Sequence, residues 1–122
     1  MHGDFELVSE RAGGSHIFRM NANGSNISQL TFGDGYDGGP DCSPDGKWIV
    51  FSSGTRLWRI SIDGGEPLRL TDFSAVAPSY SPDGESIACI IPSNSQVKSA
   101  SVGIIPAVGG ATVKTFEVIP FD

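Results

Sequence analysis

A four-residue turn, Ser-Pro-Asp-Gly, stands at Ser43 to Gly46 and again at Ser81 to Gly84, and the chain around it repeats with a period of roughly 40 residues. Such a chain folds as an array of one unit. The match extends well beyond the turn. Ile17 to Gly24 followed by Gln29-Leu30-Thr31 returns as Leu57 to Gly64 followed by Arg69-Leu70-Thr71, with a fainter copy from Val102 through Gly109-Gly110 to Thr115-Phe116. Likewise Pro40 to Phe51 returns as Pro78 to Cys89.

Each unit reads as four short strands. Strand A ends at the Ser-Pro-Asp-Gly turn, where proline presets φ and Asp-Gly supplies a side-chain cap and a permissive backbone. Strand B covers Trp48 to Ser52 and Ile87 to Ile91, rich in β-branched and aromatic residues. Strand C covers Ile17 to Asn21, Leu57 to Ile62 and Val102 to Ala107. A second glycine-bearing hairpin then leads into strand D, which ends at Leu30-Thr31, Leu70-Thr71 and Thr115-Phe116. No window keeps a helical period over three turns, so the chain is all-β. Four-stranded units at this period fit β-propeller blades buried on both faces, which explains the unbroken apolar run Trp48-Ile49-Val50-Phe51. A two-sheet sandwich would not require the same turn at the same place in each unit.

The pattern Pro-Asp-x-Ser-Pro-Asp-Gly-Lys-x-Ile-x-Phe, then Leu-Trp-x-Ile-x-x-Asp-Gly-Gly, then Arg-Leu-Thr, resembles the TolB-type propeller repeat, a WD40-like blade. The resemblance covers nearly the whole chain and implies a β-propeller. What it implies about function is broader: such blades occur in periplasmic TolB, in sensor regions attached to bacterial kinases and transcription regulators, and in the gating propellers of prolyl-oligopeptidase-type peptidases. The third unit departs from the pattern, with Gly103 in place of Phe18 and Trp58, and Val108 in place of Asn23 and Asp63.

The 122 residues divide into a partial blade lacking strand A (1–39), a complete blade (40–76) and a blade with a long B-to-C connection (77–122), just under three blades in all. Propellers close with about four to eight. The expected partners therefore include the remaining blades in cis or a second copy in trans. With 14 acidic and 8 basic side chains, the formal charge is -6, which argues against nucleic acid and anionic membrane surfaces. No apolar stretch of 18 residues exists to insert in a membrane. The N-terminus lacks the basic-then-apolar order of a signal peptide. A native N-terminus would imply the cytoplasm, and a TolB-like protein the periplasm.

No motif points to catalysis or to a cofactor. His2 and His16 lack a nucleophile elbow and a matched acid, and His16 reads as a surface side chain. Cys42 and Cys89 fit no zinc spacing and read as buried thiols outside any disulfide. Asp45 and Asp83 share one turn slot, a structural role. The loop holding Asp34, Asp37 and Asp41 could wrap calcium, a weak candidate because it lacks the order of a known calcium loop.

The A-to-B turns and C-to-D hairpins keep constant lengths. By contrast, the D-to-A connection is two residues longer at Phe32 to Gly39 than in the next unit, and the B-to-C connection grows to Pro92 to Ala100. In an antiparallel meander both variable connections emerge at one rim, where a repeat array commonly binds. Tyr36, Asp37, Ser93, Asn94, Ser95 and Gln96 are the expected contacts for a protein or peptide partner. The reading is a non-catalytic binding or sensing module; the alternative is the propeller portion of a larger enzyme, a kinase sensor or a prolyl-oligopeptidase-type peptidase.

Overall fold

The computed structural model describes residues 4–11, 14–33, 35–92, 100–111 and 114–118, and among them there is no helix. Among the described residues eleven strands form three antiparallel sheets. The first contains β1 (Asp4–Arg11), β2 (Gly14–Asn21) and β3 (Ser28–Gln29) in that order. The second runs β4 (Asp37–Cys42), β5 (Trp48–Ser53), β6 (Arg56–Ser61), β7 (Leu68–Arg69). The third runs β8 (Val76–Tyr80), β9 (Ser86–Pro92), β10 (Ala100–Pro106), β11 (Lys114–Val118). Each is a sequential meander.

The core lies between sheets and not within any one of them. Ile17 and Leu30 of the first unit pack against Ile49, Phe51 and Ile60 of the second. Val50, Leu57 and Leu70 of the second, with Ala75 of the connection that follows, pack against Ile87, Cys89 and Ile105 of the third. Because side chains alternate along a strand, β5 sends Ile49 and Phe51 one way and Val50 the other, which accounts for its continuous apolar run.

The Ser-Pro-Asp-Gly turns have one geometry in both places. Ser43 Oγ donates to Asp45 Oδ1 at 2.5 Å, Lys47 N donates to the same oxygen at 3.0 Å, and Trp48 N donates to Ser43 Oγ at 3.0 Å. Ser81, Asp83, Glu85 and Ser86 repeat these bonds at the same three distances. Gly46 and Gly84 close the turns at φ +75°, and a Cβ on Gly84 would stand 3.3 Å from Pro44 Cδ of the preceding turn.

Both inner strands also carry the same bulge. The register shifts between Gly38 and Asp41 in β4 and between Val76 and Ser79 in β8, and the bulge residue is left-handed in each, Gly39 at φ +61° and Ala77 at φ +55°. Only the second bears a Cβ.

Strand D departs from expectation. In the first two sheets it shrinks to two residues, so Leu30-Thr31 and Leu70-Thr71 lie just past it. In the third, Thr115 pairs with Gly103, whereas Arg69 pairs with Trp58, one residue out of step with the constant hairpin-to-strand count. Phe116 is consequently exposed, unlike the buried Thr31 and Thr71 that it aligns with. Cys42 is half-buried and only Cys89 is fully buried, which corrects the expectation for Cys42; no disulfide joins them.

Two outcomes follow from these turns and bulges. Ala77→Gly removes a left-handed Cβ and should raise unfolding stability by about 1 kcal/mol in a denaturant titration. Asp45 and Asp83 are held below the usual 3.8, first by the serine hydroxyl and then by the backbone N–H of Lys47 or Glu85. A lowered folded pKa gives stability that is present above the unfolded value and is lost as pH falls through the folded one. Circular dichroism should therefore show weakening below about pH 4, with a shallower acid slope in the Asp45→Asn, Asp83→Asn double variant.

Candidate functional site

At one rim, each D-to-A connection folds back onto the start of strand C in its own sheet. Leu30 N donates to Ile17 O at 2.8 Å and Ile17 N donates to Thr31 Oγ1 at 2.9 Å. Leu70 N to Leu57 O at 2.8 Å and Leu57 N to Thr71 Oγ1 at 3.1 Å repeat the pair. The repeated Leu-Thr thus replaces strand D with one backbone and one side-chain bond, and its threonines are buried.

Beyond that shared anchor the two connections diverge. In the second sheet Ala75 N donates to Thr55 O at 2.9 Å, Arg56 Nη1 reaches Ser74 Oγ at 3.2 Å, and Phe73 turns into the core. In the first, the connection is two residues longer and pairs Tyr36 with Ser15 in a parallel bridge. Ser15 Oγ donates to Asp37 O at 3.0 Å, and Asp37 Oδ2 lies 3.3 Å from His16 Nδ1. Backbones approach closely here, since a Cβ on Gly14 would stand 3.1 Å from Gly35 O. The added length leaves Phe32 73% exposed and Tyr36 67% exposed.

Phe32 borders a cleft of about 320 Å³ between the first two sheets, walled by Leu30, Phe51, Trp58 and Pro67 with Thr31, Asp37, Ser53 and Glu66 as its polar positions. A second groove of about 340 Å³ continues from it along the outer edge past Gln29 and Asp63, and Phe32 borders both. Such a concave apolar wall with few polar groups can seat a partner's side chain.

Among the residues expected from sequence, Tyr36 is exposed at this rim, whereas Asp37 is buried against His16. His16 is therefore no surface histidine: Asp37 draws it inward. Asp41 is engaged elsewhere, its Oδ2 accepting from Tyr80 N at 2.7 Å across the next junction. Asp34, Ser93, Asn94, Ser95 and Gln96 lie outside the described residues. Among the described residues no three His, Cys, Asp or Glu side chains converge on a point that could hold a metal ion. Sequence reading missed Phe32, Trp58 and Glu66. Phe32 carried a signal in principle, an aromatic directly after the Leu-Thr anchor where the next unit has Asp72.

With this geometry, no protein-family model matches the chain. Among curated proteins, an uncharacterized protein of Agrobacterium fabrum, Atu1656, is 35% identical over 80 residues, covering 61% of this chain and 27% of that protein. Among solved structures, a protein of Agrobacterium tumefaciens assigned as TolB superposes with a TM-score of 0.84 at 28% identity, over 95% of this chain and 46% of its own. The fold is an incomplete β-propeller. TolB from Acinetobacter baumannii agrees in fold, with a TM-score of 0.69 at 20% identity over 90% of this chain and 29% of its own. The chain spans about a quarter of the curated relative and under half of either propeller structure.

The Leu-Thr anchor sets the shape of the rim and is directly testable. Thr31→Val and Thr71→Val each leave a buried N–H of strand C without its acceptor. Each should cost about 1–3 kcal/mol in a urea titration; unchanged midpoints would show that the hydroxyl bonds do not hold the connection.

Proposed function

We propose that this chain is a non-catalytic binding module of propeller type that docks a peptide segment of a protein partner at the rim where its D-to-A connections emerge. The observation that carries the reading is Phe32, exposed beside Trp58, Phe51 and Pro67 at the mouth of the first inter-sheet cleft. Its counterpart region in the next unit turns Phe73 inward, so the rim has no packing need for an exposed aromatic there. An exposed ring beside a half-filled apolar wall is the composition of an interface centre.

Charge narrows the partner. The chain carries a formal -6, and Glu66 in the cleft with Asp63 in the adjoining groove are both exposed. A segment presenting one apolar side chain flanked by lysine or arginine complements that surface. The resemblance in fold to TolB supports a binding role for the module. Further blades in cis, or a second copy in trans, meet the faces of the first and third sheets that no neighbouring sheet covers among the described residues.

A displayed peptide library panned on the protein should return sequences with an aromatic or aliphatic residue between basic ones. The Phe32→Ala variant should weaken their binding by roughly tenfold, about 1.4 kcal/mol, and Glu66→Lys should slow association at low salt. Selected peptides that bind Phe32→Ala and the parent equally would overturn the assignment of this cleft.

A further inference from the structure

The opposite rim holds a second feature, visible when successive junctions are compared. Ile62 N donates to Lys47 O at 2.9 Å and Ala107 N donates to Glu85 O at 2.9 Å, so Ile62-Asp63 and Ala107-Val108 occupy the same place in successive sheets. An arginine from the preceding sheet faces each pair. At the first junction Arg19 Nη1 donates to Ile62 O at 2.8 Å and stands 3.6 Å from Asp63 Oδ1. At the second, the equivalent Arg59 shares a cavity with Val108 where Arg19 has an acid nearby.

Arg59 adopts a different arrangement. Its guanidinium carbon sits 3.9 Å over the Trp48 ring, and its Nε is shut away from solvent without a hydrogen-bond partner. The hydroxyl of Tyr80, on the facing sheet, is likewise buried and without a partner. Both side chains line one cavity of about 210 Å³, closed by Trp48, Val108 and the aspartates of the two Ser-Pro-Asp-Gly turns. Two buried donors without acceptors are costly, on the order of 1–3 kcal/mol each. An acceptor entering the cavity recovers that cost once small side-chain rotations turn the two donors toward it.

We propose that the junction between the second and third sheets binds a carboxylate, which accepts hydrogen bonds from Arg59 and Tyr80 and supplies there the negative charge that Asp63 supplies to Arg19. Arg59 Nε–H can only donate. Burial pushes the Tyr80 phenol up to about 12, partly offset by Arg59, so its hydroxyl stays protonated at neutral pH. Asp45 and Asp83 temper the site. Each is exposed and ionised, with one oxygen already held inside its own turn. Their charge is screened by water but still disfavours a dianion, so a monoanionic carboxylate is selected over sulfate or phosphate. This cavity opens at the rim of the A-to-B turns and is separate from the Phe32 cleft, so its fate does not depend on that of the peptide site.

The carboxylate has two sources, a small free acid or the C-terminus of a peptide. In the intact protein, the Arg59 Nε–H and Trp48 indole N–H resonances can be followed against sodium acetate, sodium sulfate and sodium chloride at matched ionic strength. A short peptide with a free C-terminus and its amidated form complete the series. Saturable shifts of both resonances with acetate, or with the free-acid peptide and not its amide, support the site and identify the source. Val108→Asp places a carboxylate in the same hairpin slot, at a position 73% exposed and therefore tolerant of the change. That variant should melt higher than the parent and lose the acetate response, and Arg59→Lys, which keeps the charge and lacks Nε–H, should lose the response too. Shifts that are linear and no larger than those from chloride, or that persist unchanged in both variants, would overturn the proposal.

Discussion

Strand β5 is buried on both faces, and the remainder of the molecule is arranged around that condition. Ile49 and Phe51 are covered by the first sheet and Val50 by the third, each with at most 2% exposure. Full burial of side chains of this size is worth about 1.5–3 kcal/mol apiece, and no four-stranded sheet can obtain it alone. Stability therefore lies at junctions. The surfaces released from packing duty are the two rims and the grooves where junctions open.

The rims solve the backbone's hydrogen-bonding needs in different ways. At the Ser-Pro-Asp-Gly rim each turn satisfies itself: the serine hydroxyl, the aspartate and two backbone N–H groups bond to one another within six residues. A self-contained turn can be copied from unit to unit without reference to its neighbours. At the other rim the D-to-A connection is fastened to strand C by side chains reaching across, His16 and Asp37 in one unit and Arg56 and Ser74 in the next. Those fastenings vary in chemistry and length, and variation there moves Phe32 and Tyr36 into solvent without disturbing the junction core.

This difference also governs what the sequence made legible. Repetition, the all-β character, the incomplete propeller and two-sided burial follow from period and composition, because they depend on features that recur. The inward turn of His16 and Asp37 depends on two residues 21 positions apart that have no counterpart pair in the next unit. A single-sequence pattern holds no trace of such contacts. The left-handed Ala77 was hidden for a related reason: alanine carries no signal for positive φ, and only its equivalence to Gly39 reveals the shared bulge. The slipped pairing of β11 was invisible because glycine-to-strand spacing counts residues and does not report which of them face Gly103.

Junctions repeated in backbone but not in side chain are where an array of like units acquires distinct chemistry. Arg19 and Arg59 occupy one position in successive sheets, yet the exchange of Asp63 for Val108 across the hairpin leaves the first with a carboxylate nearby and the second stacked on Trp48. The backbone bonds that set the two hairpins, Ile62 to Lys47 and Ala107 to Glu85, are the same length. The fold therefore fixes where the arginine stands, and the residues around it, Asp63 beside Arg19 but Trp48 and Val108 beside Arg59, set how its guanidinium is engaged.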